Sequence, residues 1–202
     1  MFDLYLYDKA LRTDYPILCG VDEAGRGPLC GPVCCAAVVL KENFACEEIN
    51  DSKKLTEKKR EKLFDVIIEN AVSYSVVMVD AKTIDEMNIL NATMYGMSTA
   101  VKSLSLTPNL TLIDGNKVPK DIETEAKAAV KGDGTSLSIA AASILAKVSR
   151  DRYMKELSEK YPQYQLDKHK GYPTALHYEL LKQYGLQDFY RKSYFKKRPE
   201  FL

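Results

Sequence analysis

Two short apolar runs near the start of the chain predict two β-strands. Residues 16–21 and 33–40 (VCCAAVVL) are rich in β-branched and small apolar side chains, and the glycine- and proline-rich segment GRGPLCGP separates them. The connection is too short for a parallel crossover, so we expect an antiparallel pair. Asp22 and Glu23 fall where the first of these strands ends.

The apolar periods that follow alternate between helical and extended spacing. They predict, in order, a helix capped by Thr56, a strand over 72–79, a helix over 84–104, a short strand over 110–114, a second short run over 126–130 and a long helix over 136–160. Interleaved strands and helices with one tight strand connection predict an α/β fold with a mixed central sheet flanked by helices.

Pro162 ends the long helix, and the chain beyond it is richer in tyrosine and basic residues. Thr174 can cap a final helix that Gly185 can close. We therefore expect one main domain over residues 1–160 and a small C-terminal helical appendage over residues 161–202.

Composition describes an ordinary globular protein, with 202 residues, 46% hydrophobic and 28% charged. No signal-peptide pattern is present and no apolar run reaches about 18 residues, so we expect a cytoplasmic protein without a membrane segment. The net charge of +1 conceals two basic clusters, which we interpret as solvated faces. These clusters are Lys53, Lys54, Lys58, Lys59, Arg60 and Lys62, and later Arg191, Lys192, Lys196, Lys197 and Arg198.

The five cysteines are confined to the first quarter of the chain and lack the spacing of a zinc site. We expect them to be small buried side chains in a reducing compartment. Metal binding by Cys30, Cys34 and Cys35 is disfavoured because adjacent residues of a strand point to opposite faces.

Four acids, Asp22, Glu23, Asp114 and Asp133, each follow an apolar strand and lie within two residues of glycine. This is the pattern of the carboxyl edge of a sheet, where ligands bind. Acids so close raise one another's pKa and need protons or cations. Oxygen ligands favour Mg²⁺ or Mn²⁺, and two such ions about 4 Å apart can support phosphodiester hydrolysis. Taken singly, Asp114 or Asp133 is better explained as a turn former or helix cap, and the metal-binding interpretation depends on the four acids together.

Six motifs extend this interpretation, and they occur in the order GVDEAGRGPLCGPV, NDSKKLTEKKR, IDEMNILNATM, LIDGN, KGDGTSLSIAAASILAKVSRD and HKGYPTALH. Over residues 18–195 the chain closely resembles the bacterial type 2 ribonucleases H, the ribonuclease HII family. The resemblance implies a ribonuclease H-like fold and two divalent ions held by Asp22, Glu23, Asp114 and Asp133. It also implies cleavage on the 5′ side of ribonucleotides in RNA/DNA hybrids or in duplex DNA, leaving 3′-hydroxyl and 5′-phosphate ends, and a role in ribonucleotide excision repair.

An enzyme that distinguishes ribose from deoxyribose must contact the 2′-hydroxyl. The turn formed by Gly25, Arg26 and Gly27 allows close approach, and the resemblance assigns it to recognising that sugar and its phosphates. The resemblance places Tyr172 at the junction between the ribonucleotide and the next deoxyribose. A nucleotide-binding P-loop is the rival interpretation of the turn, but the lysine and hydroxyl of that motif are missing.

Candidate phosphate contacts need charged or hydroxyl donors. We assign this role to Asn50, Ser52, Lys53, Ser143, Lys147, His169 and Lys170. Lys147 is equally well explained as a solvated side chain, and His169 as a residue that bonds within its own loop. His177, inside the last predicted helix, is expected to be structural.

We hypothesise that Asp22 and Asp133 bind the metal that activates water, while Glu23 and Asp114 complete a second metal site. A monomer acting alone on nucleic acid is expected. Two alternatives stay open: a non-catalytic nucleic-acid-binding module, and a phosphatase or nucleotidyl transferase that acts on small substrates. The run RKSYF departs from the Arg-Arg-Ser-Phe usual in the family, so we assign no substrate contact to its basic residues.

Overall fold

A five-stranded mixed sheet forms the centre of the protein. The computed structural model describes residues 4–50, 52 and 55–201. The strands are β1 (Leu18–Ala24), β2 (Val33–Leu40), β3 (Ala71–Val79), β4 (Leu110–Asp114) and β5 (Glu125–Ala129). Their spatial order is β3-β2-β1-β4-β5, with β1, β2 and β3 antiparallel and β1, β4 and β5 parallel. The predicted α/β fold with a mixed sheet is therefore confirmed.

Helices cover both faces of this sheet. They are α1 (Leu4–Arg12), α2 (Glu57–Asn70), α3 (Ala81–Met87), α4 (Ile89–Lys102), α5 (Leu137–Lys160), α6 (Leu166–His169) and α7 (Ala175–Tyr184). The predicted caps form, since the Thr56 hydroxyl accepts from the Lys59 amide and the Thr174 hydroxyl from the His177 amide. None of the helices in the described part of the chain has the length and apolarity to cross a membrane.

β2 is apolar at every position because both of its faces are buried. Alternate side chains from Cys34 to Leu40 pack with α2 and α5, while those from Val33 to Val39 pack with α4. Cys34 and Cys35 consequently lie in opposite cores, and Cys30 lies in a third. This separation excludes a metal site formed by these three thiols.

α5 lies directly against β1. Gly20 of β1 has no side chain, and a Cβ there would overlap the Ser138 carbonyl group at the start of the helix. The Asp8 carboxylate accepts hydrogen bonds from the Ser138 amide at 2.8 Å and the Ser138 hydroxyl at 2.6 Å. These contacts position the helix that carries Ser143 and Lys147 beside the strand that carries Asp22.

The predicted helix over 84–104 is wrong in one respect, because two helices meet at Asn88. This residue has a φ of +66° and its side chain accepts from the Asn91 amide, so it ends α3 and caps α4. A positive φ lies outside the helical range, so one continuous helix cannot pass through this residue. The helix α1 was not predicted at all.

The C-terminal residues form a separate aromatic core. Tyr164, Tyr190 and Phe195 pack with Leu29 from the β1–β2 connection and with Met154 of α5. The predicted helical appendage is thus present and is built onto the segment that follows β1. The domain boundary after residue 160 stays a prediction.

We expect Gly20→Ala to lower the free energy of unfolding by about 3 kcal/mol, because the added methyl group meets backbone that cannot rotate away. Urea unfolding measures the change. Gly134→Ala is the matched control, since a Cβ there meets nothing within 4 Å, and we expect a change within about 0.5 kcal/mol. Equal stabilities for the two variants would contradict close packing of β1 on α5.

Candidate active site

Three elements bring the four predicted acids to one region. Asp22 and Glu23 are part of β1 rather than beyond its end, because pairing with β2 continues to Ala24. Asp114 is the last residue of β4, which runs parallel to β1. Asp133 lies in the short 3-10 turn Gly132–Gly134 that follows β5.

Asp22 is the most deeply placed of these acids, with 5% of its surface exposed. Burial, and then the charges of Glu23 and Asp114, raise the pKa of Asp22 well above its ordinary value. The Glu23 amide donates to Asp22 Oδ1 at 2.6 Å, and the Ser143 side chain also hydrogen-bonds Asp22. These two hydrogen bonds lower the pKa of Asp22 and so offset part of the rise. The structure therefore brings Asp22, Glu23 and Asp114 within electrostatic reach of one another.

Asp114 and Asp133 are connected through backbone. The Gly132 amide donates to Asp114 Oδ1 at 2.7 Å, and the adjacent Asp133 is buried. Among the residues that the structure describes, no three His, Cys, Asp or Glu side chains are positioned to hold a metal ion together as they stand. Mutual repulsion opposes closer approach of carboxylates whose charge is not neutralised.

The turn that contains Gly25, Arg26 and Gly27 leads away from the acids toward Tyr172. The Arg26 guanidinium lies 3.6 Å from the Glu23 carboxylate. A Cβ on Gly27 would stand 3.8 Å from the Tyr172 ring, which is 42% exposed. Gly25 has a φ of +98°, and a side chain there would overlap Arg150. The turn and the tyrosine thus form one continuous surface beside the acids.

Two buried hydroxyls, of Ser52 and Ser143, are connected to Asp22. Ser52 and Ser143 are 2.7 Å apart, and Ser143 is the residue that bonds Asp22. Lys147, one turn further along α5, donates to Asp151 at 2.7 Å and is only partly exposed. Asn50 is partly buried nearby in sequence, whereas the predicted contact Lys53 lies outside the described residues.

His169 has no ring nitrogen available for a phosphate. Its Nε2 bonds the Tyr164 carbonyl at 2.9 Å, and its Nδ1 accepts from the Gly171 amide at 3.2 Å. The ring stacks on His177 with centroids 4.0 Å apart. This geometry supports the alternative in which His169 bonds within its own loop. The neighbouring Lys170 is partly exposed and adopts a left-handed backbone conformation.

His177 holds the backbone beneath the exposed tyrosine. Its Nδ1 bonds the Tyr172 carbonyl and its Nε2 bonds the Tyr190 hydroxyl, both at 2.9 Å. Burial, and then the charge of His169, lower the pKa of His177 to about 4. The ring is therefore neutral at physiological pH and, as predicted, has a structural place in the core.

The interpretation of both basic clusters as solvated faces is wrong for two arginines. Arg191 is fully buried, and the Arg60 side chain is 12% exposed. Arg150, which belongs to neither cluster, is also buried, with 1% of its surface exposed. Arg60 donates to the backbone carbonyls of Ser52 and Leu55. Charge counting missed these roles because the acceptors are backbone groups. The one available signal was the aromatic surroundings of Arg191 in the run FYRKSYF.

Solved structures with this architecture identify the class of protein. The crystal structure of ribonuclease H2 from Pyrococcus horikoshii OT3 matches with a TM-score of 0.75 and 32% identity, covering 91% of this chain and 96% of that chain. The crystal structure of Bst-RNase HIII in complex with Mn²⁺ shares the fold with a TM-score of 0.60 and 19% identity, covering 83% and 61%. The protein is a nuclease of the ribonuclease H class.

Sequence comparison narrows the class to a family. The family model described as Ribonuclease HII matches residues 19–197. The ribonuclease HII of Caldicellulosiruptor bescii is 53% identical over 189 residues, which cover 94% of this chain and 91% of that relative. The chain belongs to the ribonuclease HII family, as its motifs implied.

In the presence of a chelator, we expect Asp22→Asn to raise the free energy of unfolding at pH 8 by on the order of 1 kcal/mol. The folded pKa of Asp22 lies above the ordinary value of 3.8. The free energy of unfolding therefore falls as pH rises from 3.8 through the raised pKa, and the loss is complete above it. Urea unfolding at several pH values tests this. Asp65→Asn, at an exposed carboxylate, is the control. If Asp22→Asn still had a higher free energy of unfolding than the wild type below pH 3.8, the raised pKa of Asp22 could not be the cause.

The lowered pKa of His177 predicts acid sensitivity of the C-terminal core. Between the ordinary pKa of 6.5 and about 4, the unfolded chain binds a proton that the folded protein excludes. We expect the wild type to lose about 2–3 kcal/mol through this group between pH 7 and pH 4.5. His177→Gln should be less stable than the wild type at pH 7, but its free energy of unfolding should fall less steeply as the pH is lowered. If urea unfolding showed the same fall in both proteins, His177 would be ruled out as the source.

Proposed function

We propose that this protein hydrolyses the phosphodiester bond on the 5′ side of ribonucleotides, in RNA/DNA hybrids and at single ribonucleotides embedded in duplex DNA, leaving 3′-hydroxyl and 5′-phosphate ends. Membership of the ribonuclease HII family supports the reaction class. The observation that carries the proposal is the burial of Asp22 against the charges of Glu23 and Asp114. Such a site is electrostatically incomplete without cations.

The donor chemistry fits a pair of Mg²⁺ or Mn²⁺ ions. The four acids offer carboxylate oxygens at this edge, and the ring nitrogens of His169 and His177 are engaged elsewhere. We assign Asp22 and Asp133 to one ion, and Glu23 and Asp114 to the other. Bound there, the two ions would activate water and stabilise the attacking and leaving oxygens. Bst-RNase HIII, which shares the fold, was solved in complex with Mn²⁺.

The acids themselves are oriented by backbone groups. The Glu23 amide holds Asp22 Oδ1, and the Gly132 amide holds Asp114 Oδ1. A carboxylate held in this way keeps its direction when the neighbouring charge is neutralised. With both histidines of the chain engaged in the C-terminal core, proton transfer falls to water and to the substrate phosphate.

Substrate selection is assigned to the turn formed by Gly25, Arg26 and Gly27 together with Tyr172. The turn presents backbone groups and a half-exposed arginine next to Glu23, and the exposed ring of Tyr172 lies against Gly27. A ribose placed here would have its 2′-hydroxyl beside backbone donors and acceptors. The tyrosine ring offers a flat apolar surface to the adjoining deoxyribose.

The remaining polar residues are proposed to hold the phosphate backbone in register. Lys147 and Lys170 supply charge, and Asn50, Ser52 and Ser143 supply polar groups. Of these, Ser143 bonds Asp22 and Ser52 bonds Ser143. Lys53 belongs to the same proposal from sequence alone. His169 orders the loop that carries Lys170 and Tyr172 through its backbone hydrogen bonds.

We further propose that the protein acts as a cytoplasmic monomer in ribonucleotide excision repair. Within it, residues 1–160 would form the catalytic domain and residues 161–202 the segment that contacts substrate. The packing of the C-terminal aromatic core against Leu29 and Cys30, directly after the proposed recognition turn, supports this division of roles.

The decisive experiment uses an end-labelled DNA duplex with one ribonucleotide, incubated with Mg²⁺, Mn²⁺ or a chelator. We expect metal-dependent cleavage on the 5′ side of the ribonucleotide and a loss on the order of 10³-fold or more in Asp22→Asn. Product length on a denaturing gel locates the cut, and extension by a polymerase tests for the 3′-hydroxyl.

Asp65→Asn, which removes an exposed carboxylate of α2, is the matched control and should cleave like the wild type. Binding without cleavage in either metal would replace the proposal with a non-catalytic binding module. Cleavage of an all-DNA duplex at the same rate would refute ribose selection. Hydrolysis of small phosphate esters in preference to the duplex would favour the phosphatase alternative.

A further inference from the structure

Two buried arginines lie beneath the segment of residues 25–32, which we call the 25–32 turn. Arg191 donates to four of its backbone carbonyls, at 2.7–3.0 Å, and these belong to Gly25, Arg26, Pro28 and Gly31. Arg150 donates to three carbonyls, those of Cys30, Pro32 and Lys170. The turn is thus held from below by guanidinium groups that come from α5 and from the C-terminal segment.

These arginines are costly to bury. No carboxylate in the described part of the chain forms an ion pair with either of them. Burial lowers the pKa of both guanidinium groups, and the charge of Arg150 also lowers the pKa of Arg191. The carbonyl groups are their compensation, since a guanidinium has five N–H donors in a rigid planar arrangement. Such an arrangement is specific for arginine and requires the backbone to keep one conformation.

Arg191 also determines which way the peptide groups of the turn face. The Gly25 carbonyl and the Arg26 amide belong to one trans peptide unit, as do the Arg26 carbonyl and the Gly27 amide. In a trans unit the C=O and N–H bonds point in opposite directions. Because both carbonyls point at Arg191, both amides point away from it. Within the described residues these two amides donate to no acceptor.

We propose that Arg191 is a positioning residue for ribose recognition, which directs the amides of Arg26 and Gly27 toward the substrate without touching it. The inference rests on the proposed function. Two contacts keep the segment around Arg191 in place. Asp85 accepts from the amides of Lys192 and Ser193 at 2.8 and 2.9 Å, and the Tyr194 hydroxyl donates to the Arg26 carbonyl at 2.7 Å.

The test measures binding separately from cleavage. In an Asp22→Asn background with Mg²⁺, the dissociation constant is determined for a duplex with one ribonucleotide and for the matched all-DNA duplex. We expect Arg191→Met to reduce the preference for the ribonucleotide about tenfold or more, while affinity for all-DNA duplex stays unchanged. Arg191→Lys should also fail to restore the preference, because an ammonium group cannot reach the same four carbonyls.

Arg12→Met is the matched control, since Arg12 also donates to two backbone carbonyls, of Pro16 and Leu40, but far from the turn. It should leave the preference intact. If Arg191→Met does not fold, Tyr194→Phe removes a single hydroxyl from the same carbonyl and should lower the preference by a smaller factor.

The outcomes separate the two proposals. A wild-type protein that fails to cleave the ribonucleotide duplex overturns the proposed function. A protein that cleaves it, but whose binding preference survives in folded Arg191→Met or in Tyr194→Phe, overturns the role of Arg191. Equal losses of affinity for both duplexes also overturn it, because they indicate a general structural effect and not recognition of the ribose.

Discussion

The burial of Asp22 beside two other acids is the constraint around which the structure is arranged. A buried carboxylate close to two other acids is unfavourable, so the surrounding structure must hold it in position. The backbone of β1 supplies one hydrogen bond through Glu23, and α5 supplies another through Ser143. That second contact requires the helix to approach the strand closely, and the absence of a side chain at Gly20 permits it. The close packing of α5 on β1 at Gly20 therefore also positions the Ser143 hydrogen bond that stabilises the Asp22 carboxylate.

Much of the fold could be predicted from local pattern. The apolar run of β2 indicated burial on both faces, and threonine caps correctly marked the starts of α2 and α7. The four acids were also recognisable, because each stands within two residues of glycine at or near the end of a strand, and parallel strands bring such ends together. These features depend on residues that are close in sequence or on a general property of sheets.

The features that were missed depend on particular long-range contacts or on one unusual dihedral angle. Asn88 divides a continuous apolar period with a positive backbone φ. Arg191 belongs to a basic run that resembles a solvated face, and only the fold shows that backbone carbonyls from the other end of the chain surround it. The sequence left His169 between two roles, because neither pattern nor charge reveals that both ring nitrogens are engaged.

The contact between Arg191 and the 25–32 turn joins residues separated by more than 160 positions in the chain. Proteins are synthesised from the N-terminus, and their early regions begin to fold first. All five strands and α5 precede residue 161, so the acidic edge can assemble while the C-terminal segment is still being made. The turn acquires its guanidinium support only afterwards. If the turn recognises the ribose and the acids hold cations as proposed, selectivity for the sugar is the last property that the growing chain acquires, later than its capacity to bind cations.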